Sequence, residues 1–237
     1  LLIIFYSFSI GQSRQNVIAA ISSMKGDAKI KAKGERKFTS AYKGQMIKTG
    51  EWLKTGDNVF LTILFLDGSV VKIQSKTELE IKSSRLTANE LKTQMYISEG
   101  QAWSKISNQN NGEFKVKTPT AVATVKGTEF DVEFDDLLES TKLTVIEGEV
   151  LFGNEISEVL ASAMEGATAN KNQAPTEYTL KSKDIPKWQN NVEPSFGFRL
   201  KPTKQGRHPI NNPMKVQIQA ISLNSKKNLT KINDEIL

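Results

Sequence analysis

Residues 118 to 132 read Thr-Pro-Thr-Ala-Val-Ala-Thr-Val-Lys-Gly-Thr-Glu-Phe-Asp-Val, and this stretch constrains the fold more than any other. Pro119, with its fixed φ and missing N–H, suits the end of one strand. Beyond it Ala121, Ala123 and Val125 share one face and Val122, Thr124 and Lys126 the other, because side chains alternate along a strand. Gly127 interrupts the pattern where a bulge, a sharp bend or a close backbone approach is needed. After Thr128, the residues Phe130, Val132 and Phe134 restore an inward face, with Asp131, Glu133 and Asp135 outside. Small residues beside a glycine place this strand close against another layer of backbone.

Strand signals dominate from residue 17 to about 180. Residues 60–66 are apolar on both faces, as in a fully buried central strand. Asp67-Gly68 follows, ahead of a second apolar run, and Asp-Gly in that setting predicts a hairpin with a type I′ turn. Leu79 and Ile81 alternate with Glu78 and Glu80. Further strands are expected near residues 91–97, 101–106, 113–118, 121–126, 128–134, 141–146 and 149–152, jointed at Glu-Gly, Lys-Gly, Asn-Gly or Asp-Asp. Residues 157–164 read as a short helix or a strand, with the strand preferred. One helical turn is expected near residues 184–188, with Asp184 as its cap and Pro186 in its first turn. A weak internal repeat relates residues 95–103 to 143–151 as strand, Glu-Gly, strand. The expected fold is all-β: a β-solenoid or a strongly twisted β-sandwich of many short strands, with at most short helical turns.

The 237 residues include no cysteine and one histidine, His208. Disulfides, thiolate nucleophiles and Cys-ligated zinc are excluded, and a His-based triad or multi-His metal site has no residues to build it. A P-loop and a Gly-x-Ser-x-Gly elbow are both lacking. The net charge of +6 comes from lysines that alternate with acids between strands, with little arginine. It reads as a solvated surface and not as a nucleic-acid footprint. Asp131, Glu133 and Asp135 invite comparison with a calcium site or a glycosidase carboxylate pair. Neighbours on one strand do not face each other across a cleft, and EF-hand spacing fails, so a solvated face is expected. Trp52, Trp103 and Trp188 read as packing at strand ends or as a sugar-binding platform, with Trp52 and Trp103 the candidate binding surface. No catalytic residue, metal ligand or cofactor is expected, and the chain reads as non-enzymatic.

The two ends differ from the middle. Residues 1–8 are an apolar run too short to cross a bilayer, and Ser9 and Gly11 stand at small-residue spacing before Gln12. Residues 1–15 read as the end of a secretory signal peptide, the end of a membrane anchor, or a buried strand. The first two readings place the rest outside the cytoplasm. From residue 190, Pro194, Pro202, Pro209 and Pro213 among basic residues mark an extended linker, followed by an alternating strand from Met214 and a turn. The expected organisation is one all-β domain over 17–189 and an appended linker with a C-terminal strand or hairpin over 190–237.

Six motifs in order make residues 26–154 resemble a FecR domain. They are Gly26-Asp-Ala-Lys-Ile30, Gly44 through Asp57, Leu66-Asp-Gly-Ser-Val-Val71, Glu99-Gly-Gln-Ala102, Phe114 through Val132, and Val145-Ile-Glu-Gly-Glu-Val150. The residues that carry the signature are turn and core positions: Asp67, Gly68, Gly100, Thr118, Pro119, Gly127, Thr128, Phe130 and Gly148. The resemblance implies an extracytoplasmic, solenoid-like all-β domain without catalytic residues. It implies a periplasmic or secreted module that binds another cell-envelope protein. In the best-known members that partner is a TonB-dependent transporter, and siderophore occupancy is relayed to an extracytoplasmic-function sigma factor. A secreted structural or glycan-binding envelope protein is the alternative.

Overall fold

The computed structural model describes residues 17–87, 90–108, 112–194, 196–202, 216–222 and 235–236. The N-terminal run expected to end a signal peptide or anchor lies outside the described residues. Seventeen strands form one hydrogen-bonded network. The first eight are β1 (Val17–Lys25), β2 (Lys29–Lys31), β3 (Thr39–Ser40), β4 (Met46–Lys48), β5 (Glu51–Lys54), β6 (Phe60–Phe65), β7 (Val70–Ile73) and β8 (Glu78–Thr87). The long β9 (Glu90–Lys105) follows. Then come β10 (Glu113–Lys117), β11 (Val122–Val125), β12 (Glu129–Asp135), β13 (Ser140–Glu147), β14 (Glu149–Gly153), β15 (Glu158–Ser162), β16 (Glu165–Asn170) and β17 (Thr176–Thr179).

The network divides into two layers that share β9. The front layer runs β4-β1-β6-β7-β9-β12-β13-β16-β17. The rear layer runs β3-β2-β5-β8-β9-β10-β11-β14-β15. Every pair is antiparallel except β9–β10. Up to Glu99, β9 pairs with β8 and β10 in the rear layer; from Gly100 onward it pairs with β7 and β12 in the front. The all-β expectation holds. A separate three-stranded antiparallel sheet is formed by β18 (Phe196–Pro202), β19 (Val216–Ser222) and β20 (Glu235–Ile236). Its first strand occupies a stretch that the prolines had suggested was an extended linker.

The period-two pattern explains the core. Inward residues of the front layer (Ile63, Val71, Phe130, Val132, Leu143) and of the rear layer (Leu53, Ile81, Met95, Val116, Phe152) join one buried cluster. Phe65 of the front layer meets Phe114 of the rear edge to face, with ring centroids 5.7 Å apart. Each such ring removed from water contributes roughly 1.5–3 kcal/mol. Ala121, Ala123 and Val125 are buried beside this cluster, as the small-residue pattern requires.

Two turns differ from expectation. At Asp67-Gly68 a hairpin forms, but only Gly68 has positive φ (87°). Gly68 N–H donates to the Phe65 carbonyl and Phe65 N–H to the Ser69 carbonyl. This is a three-residue loop with a left-handed glycine bulge, not type I′, and the Asp67 carboxylate stabilises it by accepting from Ser69 N–H at 2.8 Å. At Glu99-Gly100 the expected turn is absent, because the strand passes straight through while changing layers. Gly100 sits at φ 91°, and a Cβ there would lie 2.5 Å from the Lys76 carbonyl oxygen and against the Thr77 hydroxyl. That hydroxyl accepts the Gln101 N–H at 3.0 Å, so the close approach also secures the crossing.

Gly100→Ala should therefore cost about 3–5 kcal/mol in urea unfolding, since it combines left-handed strain with a backbone clash. Gly44→Ala is the control: φ is 86°, nothing lies within 4 Å of the added methyl, and only about 1 kcal/mol should be lost. Gly127→Val, at φ 101° with Asn108 Cα 3.0 Å from the new Cβ, should abolish folding, read as loss of a cooperative transition. A well-folded Gly127→Val protein would contradict the steric account.

Candidate functional site

Register builds one row of side chains across the outer face of the front layer. Ser23, Thr62, Lys72, Trp103, Asp131, Thr144, Gly166 and Tyr178 are successive cross-strand partners from β1 to β17. A polar row on an outer face would ordinarily be hydrated. Here residues 181–194 lie across its middle as a strap. Lys72 is buried; its Nζ donates to the Gln189 carbonyl at 2.9 Å, pairs with Glu193 at 2.9 Å, and sits 5.0 Å over the Trp103 ring. Thr62 Oγ1 donates to the Val192 carbonyl at 3.1 Å. Trp188 stacks on Phe60 at 6.4 Å between ring centroids.

The strap carries the one short helix described, a 3-10 turn over Trp188–Asn191. Lys187 stands at its N-cap position, and no side chain caps it. Asp184 instead closes the preceding turn, accepting the Lys181 N–H at 2.9 Å. The helical turn was thus expected in nearly the right place, with the wrong cap.

Asp131 departs from the solvated face expected of it. It is 2% exposed, while Glu133 on the same face stays exposed, because the strap covers the first position and not the second. Gln101 Nε2 donates to Asp131 Oδ1 at 2.6 Å, whereas Oδ2 has no hydrogen-bond partner among the described residues. Burial pushes the carboxyl up to about 7 against the hydrogen bond from Gln101; the Glu133 charge adds to the rise, and Trp188 and Lys142 oppose it. The Trp188 indole N–H faces this carboxyl without completing a hydrogen bond. Among the described residues no group of three or more His, Cys, Asp or Glu could hold a metal ion.

The tryptophans do not share a surface. Trp103 is 7% exposed beneath the strap on the front layer, and Trp52 lies on the rear layer opposite Lys31 and Glu80. The Lys31 ammonium sits 4.8 Å over the Trp52 ring and 4.6 Å over Phe38, and Tyr96 meets Trp52 edge to face at 6.2 Å. The ring face nearest Lys31 is therefore occupied.

The sequence signature lies in the frame that carries this row. Thr118, Pro119, Thr120 and Ala121 close the β10–β11 turn, with Thr118 N–H donating to the Ala121 carbonyl at 2.9 Å. Thr118 and Thr120 hydroxyls each share a 2.6 Å hydrogen bond with Thr141 of β13, tying the rear hairpin to the front layer. Thr128 Oγ1 donates to the Glu149 carbonyl beside Gly148, where the chain returns to the rear layer. Phe130 is buried in the core.

Residues 51–151, from β5 to β14, match the family described as FecR protein. This segment is similar to a FecR domain, as the motifs anticipated. Its residues supply Thr62, Lys72, Trp103, Asp131 and Thr144 of the polar row, whereas the strap lies beyond the matched segment. Two crystal structures of a candidate anti-sigma factor from Parabacteroides distasonis ATCC 8503 are similar to this chain at 20% identity, with a TM-score of 0.48. The likeness covers 56% of this chain and 61% of theirs, so the chain spans less than two thirds of their length. Among curated proteins none matches this chain.

The Asp131 carboxyl sets a pH dependence. Its native acidity is weakened relative to the unfolded chain, so the native state holds a proton that the unfolded state releases near pH 4. The stabilisation is fully present below about pH 4, declines as pH rises, and is lost above about 7, a loss of up to ~4 kcal/mol. Asp131→Asn should match the wild type in urea unfolding near pH 4.5 and exceed it by a few kcal/mol at pH 8.

Proposed function

We propose that the chain is a non-enzymatic signalling module of the bacterial cell envelope that acts by binding another protein. The match of residues 51–151 to the FecR family carries this reading. Within that role we place it as a regulator of an extracytoplasmic-function sigma factor in iron–siderophore uptake, exported to the periplasm, with a TonB-dependent transporter as partner. The anti-sigma description of the Parabacteroides distasonis protein is in keeping with this reading without adding to its support.

The surface best suited to the partner is the outer edge of the rear layer. β15 pairs with β14 alone among the described residues, which leaves its other edge open to strand addition. On its outward face Leu160 (54% exposed) stands opposite Leu151 (39% exposed), with Ile156 (57% exposed) in the preceding turn. An extended partner segment could add to β15 and cover these three side chains.

Deletion of the gene should change transcription of a siderophore-transport operon in iron-limited cells, read by quantitative reverse transcription. Restoring the gene with Leu160→Asp should leave thermal unfolding within about 1 kcal/mol of wild type, because the site is exposed, and should remove most of the transcriptional response. An unchanged transcript level on deletion, with purified protein retained only by cell-wall polysaccharide, would favour the structural or glycan-binding alternative.

A further inference from the structure

The strap is unusual in what it covers. A segment packed on a sheet ordinarily buries an apolar face, whereas residues 181–194 lie over Thr62, Lys72 and Asp131, all buried. Four polar atoms in this region are buried without a hydrogen-bond partner among the described residues: Asp131 Oδ2, Trp103 Nε1, Trp188 Nε1 and Gln189 Oε1. Each would gain hydration if the strap lifted, and leaving such a group dry costs about 1–3 kcal/mol. Against this stand the Lys72 contacts to Gln189 and Glu193, the Thr62 bond to Val192, and the Trp188–Phe60 stack. The strap adds no strand to the layer, and its own backbone bonds described here are local turns, from Asp184 to Lys181 and from Asn190 to Lys187. Opposing contributions of similar size, with no ladder to settle them, are what a two-position element requires.

We propose that residues 181–194 are a latch over the outer face of the front layer, with Lys72 as its clasp and Asp131 as the group whose ionisation opens it. When the latch is closed the Asp131 carboxyl is dry and keeps its proton to about pH 7; when it is open the carboxyl is hydrated and ionises like an ordinary aspartate. Acid therefore closes the latch, and rising pH through neutrality opens it. The groups that face Asp131 are Gln101 and Trp103 of β9, Glu133 of its own strand, Lys142 and Thr144 of β13, Tyr178 of β17 and Trp188 of the strap. Lys72 and Glu193 lie on the far side of Trp103. Opening uncovers Lys72, Trp103 and Asp131 together. The inference does not rest on the signalling role.

The three tryptophans give three indole N–H signals in the full-length protein: Trp103 under the strap, Trp188 within it, and Trp52 on the other layer as an internal reference. Solvent exchange of the Trp103 and Trp188 indole protons should rise at least tenfold more than that of Trp52 between pH 6 and 8.5. The excess should vanish in Asp131→Asn, whose amide can still accept from Gln101. Lys72→Met should show fast Trp103 and Trp188 exchange already at pH 6, which tests the clasp independently. The latch is excluded if both indoles keep pace with Trp52 at every pH, if the excess persists in Asp131→Asn, or if they exchange only in step with the core amide of Val132.

Discussion

The structure depends on one steric requirement: a single chain wound back and forth between two packed layers must reverse its course through a short connection at each crossing. A left-handed residue does this, and crossings carry one again and again. Gly26 takes the chain from front to rear, Gly44 back, Gly50 to the rear again, and Gly127 and Gly148 repeat the exchange in the second half. Where glycine is missing, Lys76 and Met164 accept the same positive φ at the β7–β8 and β15–β16 crossings. The layers can approach closely only because these corners are tight, and the threonine hydroxyls at 77, 118 and 128 bond across them. The FecR-like motif residues are largely a record of turns and layer changes.

This explains which features were legible in the sequence. Period-two alternation gave strands and faces, since Phe130, Val132 and Phe134 must all enter the core once any one does. Glycines marked the joints. Their geometry was less legible: the same positive φ makes a bulge within β9 at Gly100 and a corner at Gly127. Which of these occurs depends on whether a partner strand continues on the far side, and a local pattern does not contain that information. The Asp67-Gly68 loop shows the same limit, because its turn type is set by how β6 and β7 twist together.

The polar row was hidden for a different reason. Alternation assigns Asp131 to the outside and is right about its direction; burial comes from a strap about fifty residues downstream. A signal was nevertheless present. Thr62 interrupts an otherwise apolar run, and Lys72 stands between Val71 and Ile73 in the second apolar run. A lysine in that position requires an acceptor, and here the acceptors are Gln189 and Glu193. The Trp52 and Trp103 pairing failed to form one surface because the two residues fall in different layers, a consequence of the crossings between them.

The sharing of β9 between the layers has a consequence for how the molecule comes to be folded. Within the two layers, β1 to β8 lie on one side of β9 and β10 to β17 on the other. A chain emerging from its N-terminus therefore reaches a half-assembled stage in which β7 and β8 each present a bare hydrogen-bonding edge. The next segment to appear closes both edges at once and in the same act founds the second half. Such a topology, with long-range pairing on either side of β9, is of the kind that folds slowly.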